Sequence, residues 1–410
     1  MQFRRSDLPH VLTVVILASV AAVIAGANHI AARLKSGNVD RTVDTRPIAP
    51  MTSRDGLQQT IDTMEARLRT HPADARSAAL LADALMRQVR ITGHAGLVLR
   101  AEHALLRVLH DEPADYEARR MLATVYLSEH RFRDAIREAA RARDERPRDD
   151  WNYGVMGDGH LELGEYDEAF SSFKRMMDLR PTAAAYARVS YALELQGKLD
   201  AAIEAMTLST DATSPTDLES IAWHHAQLGD LHREAGRFDR AAIEYAWAEH
   251  AFPGHPFADL GKARLAEAKG DLVSALAAYE KVSATAPTPD VHARLGELYD
   301  RLGRTDDAAR EYALAEASWR TDAPQPAALA RFLAERGQKV DEAVRLAESA
   351  AAERRDIFTE DALAWCYFKA GRLSDAASAM ARAQRTGTRD QSIRAHAAAI
   401  SRALHADAGN

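Results

Sequence analysis

LGELYDRLGRTDDAAREY, residues 295–312, decides the fold. Leu295-Gly296 is followed by Tyr299, then by a turn glycine, Gly303, and then by Ala308 and Tyr312. Apolar and small positions recur at helical spacing on both sides of Gly303, which predicts a helix, a tight turn and a second helix. The arrangement repeats along the chain. Turn glycines fall at 164, 197, 236, 270, 303, 337 and 371, spaced by 33, 39, 34, 33, 34 and 34 residues. A fixed period of this length marks a stacked helical array, in which no single hairpin buries its apolar face alone.

A small residue follows each glycine by five or six positions: Ala169, Ala202, Ala241, Ala275, Ala308, Ala343 and Ala376. Two helices that cross closely need a small side chain at the contact, and this alanine together with the Gly or Ala after the Leu of the first helix supplies it. A larger residue at Ala308 would overpack the crossing, at a cost of about 1–3 kcal/mol.

These positions resemble the tetratricopeptide repeat (TPR) family, whose 34-residue pattern runs W-x2-L-G-x2-Y, then A-x3-F, then P. Met156-Gly157-His160 leads to Ala169, Phe173 and Pro181, and Leu228-Gly229-His232 leads to Ala241, Tyr245 and Pro253. Leu122-Ala123-Tyr126 leads to Ala135, Ala139 and Pro147, and Leu363-Ala364-Tyr367 leads to Ala376 and Met380. The resemblance implies an all-α, helix-turn-helix solenoid, a right-handed superhelix of about nine repeats. These start near 75, 116, 150, 183, 222, 256, 289, 323 and 357 and occupy 56–390. Residues 57–70 predict a lone leading helix, and 391–405 a capping helix that shields the last repeat from water. Two stretches depart from the period. RITGHAGLVLR (90–100) carries extra residues and reads as a long loop, and TLSTDATSPTDLES (207–220) reads as a polar surface excursion.

The family's first helices line a concave groove, and carrying its groove positions over defines a candidate partner-binding surface. The aromatic members are Trp151, Tyr191, Trp223, Phe257, Phe358, Trp365 and Phe368. The charged members are Asp158, Asp230, Arg264, Glu297, Asp300, Arg331 and Asp361, with Glu162, Glu194, Glu234 and Glu335 also on the lining. The acidic members outnumber the basic ones. The Lys and Asn residues by which chaperone-tail TPRs clamp an acidic peptide are missing. A protein or peptide partner with basic and apolar side chains fits such a surface, with aromatic anchors and charge-guided encounter.

Composition narrows the classes. The 410 residues carry 60 acidic and 53 basic side chains, a net charge of −7, with 47% hydrophobic and only 6% aromatic content. No basic tract suggests nucleic acid. The single Cys366 excludes an intrachain disulfide. At the N-terminus two arginines precede VLTVVILASVAAVIAGA (11–27), uncharged and about 26 Å long as a helix. Its two main readings are a retained signal anchor and a signal peptide cleaved after Ala25-Gly26-Ala27, with a buried N-terminal helix of a soluble protein as the alternative. Both main readings place the array outside the cytoplasm, inner-membrane anchored or periplasmic, with 28–55 as a flexible linker.

No nucleophile elbow, zincin motif, P-loop or dinucleotide fingerprint occurs, so no catalysis, cofactor or metal is expected. His160, His225, His232 and His292 fall where the family packs aromatics against the partner helix, which predicts core roles for them. Cys366 is expected to be an inert buried thiol. The expected function is a non-catalytic protein-binding scaffold of a bacterial envelope. The alternatives are an accessory for metal or solute handling, or a self-associating structural protein.

Overall fold

A computed structural model describes residues 53–94, 96–321 and 325–408. The anchor or signal segment 1–27, and 28–52 of the linker, lie outside the described residues. Among the described residues there are twenty α-helices and no strand. A leading helix, α1 (Arg54–Thr70), is followed by nine hairpins. These are α2 (Ala75–Thr92) with α3 (Gly96–Asp111), α4 (Tyr116–Ser128) with α5 (Phe132–Glu145), and α6 (Asp150–Leu163) with α7 (Tyr166–Leu179). Next come α8 (Ala183–Leu195) with α9 (Leu199–Ala212), α10 (Leu218–Glu234) with α11 (Phe238–Ala251), and α12 (Pro256–Ala268) with α13 (Leu272–Thr285). The last are α14 (Pro289–Arg301) with α15 (Thr305–Thr321), α16 (Pro326–Glu335) with α17 (Val340–Glu353), and α18 (Ile357–Lys369) with α19 (Leu373–Ala383). A final helix, α20 (Gln391–Ala408), ends the array. None of the described helices is long and apolar enough to cross a membrane.

Local chemistry sets the helix boundaries. Asp74, Asp115, Thr182, Asp217, Thr288 and Asp356 accept a hydrogen bond from a first-turn N–H of the helix that follows. Proline opens α12, α14 and α16, where its missing N–H is harmless. Each hairpin is held by its crossing. Ala308 is buried, and the ring of Tyr312 occupies the place where a side chain on Gly296 would begin. The carboxylate of Asp300 accepts the Tyr312 hydroxyl at 2.8 Å, so the phenol end is satisfied as well.

The stretch 90–100 differs from its loop reading, and 207–220 is a polar surface excursion only over the short link 213–217. Only residues 93–95 separate α2 from α3, and only 213–217 separate α9 from α10. The extra residues lengthen helices instead of forming loops: α2 has 18 residues and α10 has 17, against 13 in α4, α8, α12, α14 and α18. Burial explains the choice. Glu219 in the first turn of α10 and Ile91 in the last turn of α2 are covered, so these residues are ordered by packing.

The array also touches itself at long range, which a purely nearest-neighbour solenoid does not. At one place α1 and α2 meet α10 and the link between α11 and α12. The Arg90 guanidinium bonds both carboxylate oxygens of Glu219 at 2.9 and 2.6 Å, Arg87 reaches Asp217 at 2.7 Å, and Arg54 donates to the Gly254 carbonyl at 2.7 Å. Leu57, Ala222, Phe252 and Ala258 belong to one buried apolar cluster there. At the other place the α6–α7 turn meets the α17–α18 link, and beside it the α8–α9 turn at Gly197 meets the α19–α20 link at Gly387. The Arg355 N–H donates to the Leu163 carbonyl at 3.1 Å, and the Ile357 N–H to the Tyr166 hydroxyl at 2.9 Å. In both contacts an edge of the first half of the array lies against an edge of the second.

Candidate functional site

The first helix of each hairpin carries the sequence-derived groove residues, and its neighbours decide how much of each remains available. Several are consumed as internal fastenings. Trp151 donates its indole N–H to Thr124 at 3.0 Å, and the guanidiniums of Arg120 and Arg188 sit over its ring at 5.0 and 5.6 Å. Asp158 holds Arg188 of the next hairpin at 2.7 Å. Asp230 accepts the Tyr245 hydroxyl at 2.9 Å and has Arg233 and Arg264 at 3.3 and 3.5 Å. Glu297 pairs with Arg294 and Asp300 takes Tyr312. Trp223 and Phe257 pack on the apolar clusters between hairpins.

The C-terminal trio is covered by α20. His396 bonds Asp361 at 2.9 Å and stacks on Trp365 with ring centroids 4.0 Å apart, while Trp365 stacks on Phe368 at 5.0 Å. Asp361 is only 1% exposed. The capping helix therefore shields these groups as well as the last repeat. Sequence spacing finds such a helix but does not say which face it covers.

Tyr191, Phe358 and Arg331 keep a free surface or a loose charge, and Arg264 and Asp300 stay exposed beside their partners. Tyr191 is 37% exposed and Phe358 39%, and the nearest carboxylate oxygen to Arg331 is that of Glu335 at 3.7 Å, outside hydrogen-bond reach. Phe358 and Arg331 line a cavity of about 640 Å³. Its opposite wall is the α4–α5 turn, including His130 and Phe132, so the cavity lies where the two halves of the array face each other without closing. Ala327, Ala350 and Ala362 keep its floor apolar. Its size is that of a site for a small molecule or a few side chains.

A second feature is electrostatic. Glu162, Glu194, Glu234 and Glu335 stand near the ends of first helices α6, α8, α10 and α16. Burial raises the pKa of each above the usual carboxylate range. For Glu194 the charges of Glu234 and Asp230 add to it, and the value reaches about 8. Glu234 is raised further by Asp230 and Asp390, partly offset by Arg233. Carboxylates that crowd one another and lack enough cations are stabilised by any cation that arrives.

The histidines pair with carboxylates across their own hairpins. His225 meets Glu244, His292 meets Glu311 and His160 meets Glu165, each at 2.7 Å. Among the described residues no group of three metal-ligating side chains converges. Cys366 is wholly buried, its thiol points at the Ala330 carbonyl, and burial pushes its pKa up to about 12, so it does not act as a thiolate.

Residues 155–215 and 227–290 match the family model described as "Tetratricopeptide repeat". The chain is a TPR-like helical solenoid. No curated protein matches its sequence. Among solved structures it is similar to the hetero-tetramer Cut9–Hcn1 of the APC/C, with 14% identity over 84% of this chain and a TM-score of 0.50. It spans 59% of that chain's length. It is equally similar to the human IFIT1 dimer with m7Gppp-AAAA, with 15% identity over 80% of this chain and 77% of that one, and a TM-score of 0.50. At such identities the likeness is one of fold.

Proposed function

We propose that this TPR-like chain is a non-catalytic protein-interaction scaffold of the bacterial cell envelope that seats a basic, apolar partner segment on its concave face. Solenoids of this type are generally protein-binding scaffolds. The observation that carries the finer reading is the group of Glu194, Glu234, Asp230 and Asp390, carboxylates that act on one another with Arg233 and Arg264 as the neighbouring cations. Lys or Arg side chains of a partner supply further positive charge. The cavity beside Phe358 and Arg331 takes an apolar side chain of the same segment. The arginines before residues 11–27, and the apolar run itself, support tethering at the inner membrane or export across it.

Calorimetric titration of the full chain in detergent with an alternating Lys-Leu peptide and its Glu-Leu counterpart tests the reading. The basic peptide is expected to bind and the acidic one not. Raising salt from about 0.02 to 0.5 M weakens the complex, and Glu194→Gln with Glu234→Gln weakens it further. Equal binding of both peptides, or binding indifferent to salt, overturns it.

A further inference from the structure

The ion cluster between α2 and α10 is built differently from the surface ion pairs elsewhere on the array. Glu219 has no solvent exposure and takes both hydrogen bonds of Arg90, with Arg87 at 3.6 Å and His255 Nε2 also at 3.6 Å. His255 is itself fully buried and neither of its ring nitrogens has a hydrogen-bond partner. The two arginines come from a helix about 130 positions earlier in the chain.

We propose that this cluster is a latch that sets how tightly the array is wound, and through that the width of the concave face. Two members of the latch have local partners as well. Asp217 caps α10 through the Ser220 N–H, and Arg87 also pairs with Asp83 one turn back on α2. Neighbour-on-neighbour stacking supports each hairpin independently. Opening the latch therefore changes the winding and leaves the repeats folded. A buried carboxylate stripped of its cations is strongly unfavourable. Admitting water by opening the seam relieves it, so losing the arginines drives the array open.

Only the consequence for partner access rests on the groove reading; the winding itself does not. The experiment is a spin-label distance measurement on the full chain with His94→Cys and Asp211→Cys, both exposed positions flanking the latch. Arg87→Gln with Arg90→Gln is expected to lengthen and broaden the distance, with helical circular dichroism unchanged. Adding Glu219→Gln removes the stranded charge and is expected to bring the distance back towards that of the unaltered latch. An unchanged distance in the double variant overturns the latch, as does lengthening accompanied by loss of helix. If the distance lengthens and the Lys-Leu peptide binds as before, the latch stands and the groove reading fails.

Discussion

The two places where the array touches itself do the same job with opposite chemistry. The α2–α10 contact is made by side-chain charge: Arg87, Arg90, Asp217 and a buried Glu219. The contact at the α6–α7 turn is made largely by backbone, through the Leu163 carbonyl and the N–H groups of Arg355 and Ile357. Among the described residues the ion pair that crosses it is Arg354 with Glu162 at 3.2 Å, partly exposed on both sides; Arg385 donates to the Gly164 carbonyl, and the buried Glu360 pairs with Arg355 and Arg382 on its own side of the contact. Buried charge beside an apolar cluster holds the first contact, and close backbone approach holds the second. The first is therefore sensitive to ionisation and the second to bulk.

The largest effect is expected from stripping the charged contact of its cations. Arg87→Gln with Arg90→Gln removes the cations of Glu219 and opens the seam they close, a loss of about 3 kcal/mol, since water admitted at the seam relieves part of the cost of a stranded buried charge. Urea denaturation measures it, and a loss below about 1 kcal/mol would show that water already reaches Glu219.

Next is bulk at the backbone contact. Gly164 has a φ of +77°, and a side chain there would run into the Arg355 carbonyl. Gly303 has nearly the same φ, +75°, but open space around it. Gly164→Ala should cost about 3 kcal/mol, strain plus collision, and Gly303→Ala about 1 kcal/mol, strain alone. Equal losses in denaturation would mean that the α6–α7 turn does not need its close approach.

Acid should separate the contacts in the same way. Burial lowers the pKa of His224 to about 4, against the pull of Asp217 and Glu219, with Arg90 and His225 adding to the lowering. Burial alone would raise Glu219, but His255, Arg90 and Arg87 hold it at about 2. Both folded values lie below the unfolded ones, so the unfolded chain binds more protons and stability falls as pH falls. For His224 the window runs from about 6.5 down to 4, and for Glu219 from about 4.5 down to 2. Hydrogen exchange at pH 7 and 4 should show protection lost in the first turn of α10 before the first turn of α18. The reverse order would contradict the assignment of charge to the first contact.

The all-helical solenoid was legible because stacking imposes a period, and the period survives as glycines and alanines at fixed intervals. The contacts between its halves leave no such trace. Arg90 and Glu219 are far apart in sequence and neither belongs to the repeat pattern. The signal was present as the two irregular stretches, 90–100 and 207–220, which look like a loop and a surface excursion by spacing and are mostly helix extensions in space. Groove residues were legible by position, but not by availability. Asp361 and Trp365 occupy groove positions like the others, and only the path of α20 puts His396 on top of them.

The smallest effect tests whether the backbone contact depends on a side chain at all. The Tyr166 hydroxyl accepts the Ile357 N–H at 2.9 Å, and burial, reinforced by the Asp356 charge, raises its pKa to about 12, so it is neutral at every working pH. Tyr166→Phe keeps the ring and its place beneath the Arg385 guanidinium, 4.8 Å away, but strands a backbone N–H at the start of α18. The loss should be about 1 kcal/mol. It should also be independent of pH between 4 and 7, because no charge is removed. A loss that grew as pH fell would mean that Tyr166 is coupled to the neighbouring Asp356 and Glu162, and that the second contact shares the electrostatic character of the first.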